Sequence, residues 1–278
     1  MNSFLPVGKL NNKLLQDLLS EINNAGPTPK IGEDSAIISI RDQEDLLVSS
    51  DPITFDSENI GKYVLDVCAN DIYAAGGEPK WFLLTTLIPP KTRYSDLKKV
   101  LSEVNERAKL LNIDIVGGHT EITEAVNKII LSGTILGTFN KNFINGQIVK
   151  ENQTIILGGL AGIEGSKIIT ENIKLSNSKL KNLSNLASNL SISVSEIAEI
   201  AISTGKIIKM HDPTEGGIST AIHEICEFSN VGCEIDINAI NFVSDFKEVC
   251  ETLNINPLGV ISSGCLLMIC EEKDSGFN

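Results

Sequence analysis

The chain has 278 residues, 42% of them apolar, and sets 23 basic against 36 acidic side chains for a net charge of −13. That length supports two ordinary domains or one large α/β unit, and apolar runs such as CLLMIC at 265–270 are far short of a membrane span. The acidic balance repels a nucleic-acid backbone, so neither nucleic acid nor membrane is an expected partner.

The opening MNSFLPVGKLNNK is interrupted by a proline and a glycine where a signal peptide needs a continuous apolar stretch, so a cytoplasmic protein is expected. Residues 9–23 then repeat leucines at helical spacing and stop at NAGPTP, which predicts an amphipathic helix. Residues 35–40 and 46–50 read as two strands joined by a polar turn, the second closed by SSDP. From 59 to 75 the pattern is helical, with Ile60, Val64, Cys68 and Ile72 on one stripe and GGEP as the stop. A strand (KWFLLTTLI), a helix over 95–111, a strand (IDIVGG) and a long strand (NKIILSGTILGTF) follow.

The polar loop NKNFINGQ is the candidate boundary between a unit over 1–142 and a second over 150–278. Past it the pattern restarts with strand QTIILGG, helix IEGSKIITEN, an Asn/Ser/Leu-rich excursion over 173–192, and helix VSEIAEIAISTG. Strand KIIKMHD, helix GGISTAIHEICEFS and strand GCEIDI come next, and the chain closes after strand CLLMIC, so the second unit is expected to be short or truncated. The fold class is α/β (α+β) with two units. The six cysteines form no C-x-x-C pair and sit in apolar contexts, which predicts reduced, buried thiols.

Chemistry concentrates on carboxylates. Asp34, in GEDSA, opens a strand; Asp51 follows LLVSS and Asp212 follows KIIKMH, each at a strand end beside a proline or glycine turn. Oxygen ligands so placed suit a hard cation, although any one of them alone is more often a cap or turn residue. On the 59–75 helix Asp71 lies about 60° from Cys68, at the margin of the buried stripe, whereas Asp66 lies about 160° away and is expected on the solvent side. A carboxylate against a core needs a cation or a hydrogen bond. Two glycine-rich stretches complete the inventory: VGGHTE at 116–121 ends a strand and lets a phosphate or ribose approach, and LGGLAGIEGSK at 157–167 could cradle an anion with its backbone and Lys167. Neither a P-loop nor a dinucleotide fingerprint is present. His119 and His211 stand near the proposed site, each as readily a structural donor as a catalytic base.

In this order, GEDSA, VSSDP, CANDIYAAGGEPKWF, VGGHTE and HDPTEGG resemble the aminoimidazole ribonucleotide synthetase (PurM-like) superfamily, which includes selenophosphate synthetase, thiamine-monophosphate kinase and the hydrogenase-maturation protein HypE. The PVGKL start and HDPTEGGISTAIHE are most similar to HypE and the HypE-like, AIR-synthase-related proteins. The resemblance implies an N-terminal domain whose strands pair across a homodimer, and a C-terminal α/β domain closing a cleft over ATP. It implies that Asp34, Asp51, Asp71 and Asp212 bind magnesium and ATP, that Gly117, Gly118, His119 and Thr120 contact nucleotide, and that Lys9 reaches the phosphates.

The shared chemistry so implied is ATP-driven phosphorylation of an oxygen or of selenide. In the HypE case it is dehydration of a carboxamide carried on a C-terminal cysteine, in which a maturation partner protein takes part. This chain ends EEKDSGFN without that cysteine, which fits a truncated chain or a related branch that does not act on itself. The leading expectation is a magnesium-dependent, ATP-using enzyme that phosphorylates an amide or carbonyl oxygen of a small-molecule or protein-borne acceptor. The alternatives are a non-catalytic nucleotide-binding maturation scaffold and a small-molecule kinase like thiamine-monophosphate kinase, the last weakened by His119 where those kinases carry an aspartate.

Overall fold

The computed structural model describes residues 12–19, 35–39, 45–54, 59–140, 143, 147–173 and 178–276. After a short helix α1 (Asn12–Leu19), the chain builds β1 (Ala36–Ile38), β2 (Leu46–Ile53), α2 (Ile60–Ala74), β3 (Gly77–Ile88), α3 (Tyr94–Leu111), β4 (Asp114–Ile122) and β5 (Ile130–Phe139). The strands form one sheet in the order β1-β2-β5-β3-β4, antiparallel except for the β3–β4 pair. Period-2 alternation sends Leu47, Phe82, Leu131 and Ile135 to one face, where they are fully buried against Val64, Cys68 and Ile72 of α2. The opposite face is open: Trp81 and Leu83, alternating with buried Phe82 and Leu84, are 36% and 37% exposed.

The second half forms β6 (Gln153–Gly159), α4 (Ile163–Asn172), α5 (Ser178–Ser188), α6 (Ser195–Ser203), β7 (Ile207–His211), α7 (Gly217–Ser229), α8 (Phe246–Thr252) and β8 (Cys265–Glu271). Its sheet is antiparallel, in the order β6-β8-β7. The unbroken apolar run of β8 is explained by burial on both sides: Cys265, Leu267 and Ile269 pack with Ile218, Ile222 and Ile225 of α7, while Leu266 and Met268 pack with Ala198 and Ala201 of α6. Helix α2 lies between the two halves, so that Ala74 shares a core with α6, and Val64 shares one with Ile163, Leu183 and Phe246.

Several expectations change. β2 does not stop before Asp51; it continues through Asp51 and Pro52, paired to Gly133 and Ser132 of β5. β1 pairs only with residues 46–48, so Pro52 sits where the outer edge of β2 is unpaired and its missing N–H costs no ladder bond. β4 likewise runs through the whole GGHTEI segment instead of ending at it. Asp66 is not on a solvent face: it is 6% exposed, because α2 is covered on nearly every side. GCEIDI forms no strand; residues 232–237 are exposed and lead into a 3₁₀ turn at Ile237–Ala239, whose start Asp236 caps through Asn238 N. The Asn/Ser-rich excursion contains α5, and α8 arises where the pattern predicts no element. Cys233 is exposed rather than buried. Among the described residues no helix is long and apolar enough to cross a membrane.

Candidate functional site

A serine hydroxyl bridges β2 and α2. Alternation along β2 turns Ser49 and Asp51 toward the helix, and Ser49 Oγ donates to Asp71 Oδ2 while lying 3.3 Å from Asp51 Oδ2. Cys68, three residues before Asp71 on α2, brings Sγ to 4.0 Å from the Asp51 carbonyl oxygen. Burial pushes the Cys68 thiol well up, and the Asp51 and Asp71 charges add to the rise. Asp51 and Asp71 are therefore held together at the floor of one site, Asp71 8% exposed.

The arrangement favours a cation. Ser49 has one proton, which it donates to Asp71 while the same oxygen stands 3.3 Å from Asp51 Oδ2. A positive charge placed between two such side chains offsets their mutual repulsion. Magnesium takes one or two carboxylates and fills the rest of its octahedron with phosphate oxygens and water, and the donor set of Asp51 and Asp71 fits that demand. A pair of carboxylates suits an ion that shares its coordination with a phosphorylated ligand.

The other expected site residues are distributed differently. Lys9 and Asp34 lie outside the described residues. Asp212, 2% exposed, follows β7 in the second half, where its charge bears on Cys265. The segment Gly117–Gly118–His119–Thr120 lies on the far edge of the first sheet. Asp51, Gly133, Leu84 and Gly118 are aligned across four strands, so Gly118 stands about 14 Å from Asp51 within one chain. Gly118 itself is required by packing: at φ +148° a Cβ would lie 1.9 Å from the Leu84 carbonyl oxygen. His119 is exposed, with Nε2 at 3.7 Å from Glu121 Oε2. His211 is buried and its Nε2 lies 3.1 Å from Glu224 Oε2 on α7, a structural pairing that takes it out of contention as a free base.

The glycine-rich start of α4 is not an open cradle either. Gly162 N donates to Ser262 Oγ and Gly165 N to the Ile261 carbonyl, so the 261–262 segment occupies those amides. Lys167 turns away and donates to the Leu190 carbonyl at 2.8 Å.

Two residues absent from the expected set matter most. Ser49 was legible in principle, since period 2 places it on the same face as Asp51. Asn70 precedes Asp71 and faces the second half: its Nδ2 donates to the Ile192 carbonyl at 2.8 Å and its Oδ1 accepts from Val194 N at 3.0 Å. One turn of α2 thus carries a site carboxylate and the clamp that fixes the second half.

Two family models match the chain: AIR synthase related protein, N-terminal domain, over residues 32–139, and AIR synthase related protein, C-terminal domain, over 150–276. A hydrogenase expression/formation protein of Methanocaldococcus jannaschii is 28% identical over 279 residues, covering 96% of this chain and 82% of the relative. Carbamoyl dehydratase HypE of Cupriavidus necator is 25% identical over 81% of this chain, which spans 63% of that protein. Thiamine-monophosphate kinase of Bacillus subtilis is 26% identical over 240 residues, covering 79% of this chain and 70% of the kinase. The fold is that of HypE as seen in a HypE–HypF complex, with a TM-score of 0.80 at 20% identity over 95% of this chain and 86% of that one. HypE in complex with ATP superimposes with a TM-score of 0.74 at 22% identity, over 94% of this chain and 79% of the other. With both of its domain models matched in order along the chain, this protein belongs to the AIR-synthase-related, PurM-like family.

Proposed function

We propose that this chain is a magnesium-dependent, ATP-using enzyme of the HypE-like branch that phosphorylates an amide or carbonyl oxygen, in hydrogenase or other metallocentre maturation. The observation that carries the reading is the convergence of Asp51 and Asp71 on Ser49 in a fold shared with ATP-bound HypE. Magnesium at this pair would neutralise phosphate charge. Asp51 and Asp71 would hold the cation, with Ser49 fixing the Asp71 carboxylate so that it does not reorient as the nucleotide arrives. In the reaction the acceptor oxygen bonds to the γ-phosphorus as the bond to the ADP oxygen breaks, and ADP leaves. Loss of phosphate from a carboxamide so activated, with the nitrogen protons released, gives a nitrile.

The domain assignment is 1–142 for nucleotide binding and dimerisation and 150–278 for the closing domain. The open apolar sheet face, with Trp81 and Leu83, supports a homodimer in which β4 of one subunit brings Gly117, Gly118, His119 and Thr120 toward the partner's carboxylates. The likeness to a chain from the HypE–HypF complex supports a maturation partner protein. A second reading, a small-molecule kinase, is favoured by the thiamine-monophosphate kinase relative.

The test is ATP turnover with magnesium against a panel of carboxamides, peptide-borne thiocarbamates and phosphate-accepting alcohols, with ADP and phosphate measured separately. Equal release of ADP and phosphate with a carboxamide supports the dehydratase reading; ADP with a stable phosphorylated alcohol selects the kinase. Tight ATP binding without turnover on any acceptor selects the non-catalytic scaffold.

A further inference from the structure

A cavity of about 340 Å³ opens between α2, α3, α4 and the segment leading from α5 to residue 192. It is separate from the carboxylate site: Asp66, on its wall, projects from α2 about 140° around the helix from Asp71. The cavity joins the two halves of the chain, with Lys62, Asp66 and Arg107 contributed by the first and Lys167, Glu171 and Ser191 by the second.

Its charge is opposite to that of the molecule. In a chain of net charge −13, three cationic side chains line this space against two carboxylates. One of the two, Asp66, is spent on positioning: its Oδ1 accepts from Arg107 Nε at 2.6 Å. Burial pushes the Asp66 carboxyl up to about 6 even against the lowering effect of Arg107. Glu171 is exposed at the rim.

Donor capacity remains after the internal bonds are made. A guanidinium has five N–H donors, and Arg107 commits Nε to Asp66 and one Nη2 hydrogen to Ser191 Oγ at 3.4 Å. An ammonium has three, and Lys167 commits one to the Leu190 carbonyl while its Nζ stands 5.6 Å from the centre of the Tyr63 ring. These contacts fix both cations before any ligand arrives, which lowers the ordering cost of binding. Burial also draws the Lys167 ammonium below its usual range, a cost that an anion beside it would offset.

We propose that this cavity is a binding site for a small oxyanion, a phosphate- or carboxylate-bearing metabolite, held by Arg107, Lys167 and Lys62 across the seam between the two halves. A planar fork beside two point charges matches the geometry of carboxylate and phosphate oxygens. The volume, near the lower end for ligand pockets, limits the occupant to a small metabolite. Because both halves supply donors, occupancy holds them together, and the site couples to the nucleotide site through α2. The cavity's lining is independent of which acceptor the enzyme phosphorylates.

The probes are inorganic phosphate and malonate, each titrated by calorimetry into the full chain saturated with magnesium–ADP, at fixed ionic strength. We expect at least one to bind with a Kd of about 1 mM or tighter. Lys62→Ala, at an exposed position that leaves the Arg107–Asp66 pair intact, should weaken it about tenfold, and Lys167→Met by at least as much. ADP affinity should be unchanged in both. Preference for phosphate identifies a phosphorylated ligand, and preference for malonate a carboxylate. No binding of either probe at 10 mM, or binding that both lysine substitutions leave unchanged, overturns the proposal.

Discussion

Ser49 on β2 donates its hydroxyl proton to Asp71 on α2, tying the strand that carries Asp51 to the helix that carries the second carboxylate. The proposed nucleotide site is a relation between two elements and not a loop. Ser49→Ala leaves both carboxylates in place but frees Asp71 to reorient. Magnesium–ATP affinity should fall about three- to tenfold, the value of one ordinary intramolecular hydrogen bond, with thermal stability little changed. Unaltered affinity in fluorescence or calorimetric titration would count against a positioning role for Ser49.

Asn70 sits one residue before Asp71 and is fully buried, with both ends of its amide bonded to the backbone of the second half. Asn70→Ala leaves the Ile192 carbonyl and the Val194 N–H without those bonds, at about 1–3 kcal/mol each. Urea unfolding should show a loss of about 2–5 kcal/mol, together with greater protease sensitivity between the halves. A loss within experimental error would mean that the Asn70 amide does not hold the halves together.

Glu164, in the first turn of α4, is fully buried. Burial pushes its carboxyl up to about 7, with Glu215 adding to the rise and Ser263 and Lys167 opposing it. The folded value exceeds the unfolded one, so the stability tied to the neutral form is complete below about pH 4 and is lost as the pH rises through about 7, by about 3 kcal/mol in all. Glu164→Gln cannot ionise. It should match wild type at low pH and exceed it by up to about 3 kcal/mol at pH 9, as read from urea melts at both pH values. Parallel pH profiles for the two proteins would show that Glu164 does not titrate in this range.

Gly133 pairs with Asp51 across β2 and β5, and a Cβ there would lie 2.5 Å from the Phe82 ring and 2.6 Å from Cys68 Sγ. Gly133→Ala should therefore destabilise by about 1–3 kcal/mol through overpacking. Cys68→Ala in the same chain should restore part of the loss, since it removes one of the two obstacles; strict additivity in a double-mutant cycle would separate the two positions.

How far the sequence could be read follows from the physics of each element. β8 and α7 were legible because their apolar patterns match the layers they fill, and the order of motifs pointed to the family because five short stretches had to agree. Asp51 and Asp71 were legible as carboxylates in unusual settings. Ser49 was not picked out, because a serine in a strand has no sequence signature apart from its phase relative to Asp51. Asp66 was misplaced because one stripe of apolar residues describes a helix buried on one side, and α2 is buried between a sheet, α3 and the second half. GCEIDI alternates like a strand, but no described strand pairs with it and its residues are exposed. The distance of GGHT from Asp51 depends on strand order, which no local pattern encodes.

The most direct test of the central claim is ATP binding by calorimetry, with and without magnesium, on the wild-type chain and on Asp51→Asn. The account predicts binding that requires magnesium and that the substitution weakens by at least about tenfold, because half of the carboxylate pair is gone. Binding of equal strength in all four titrations, or none in any of them, would contradict it.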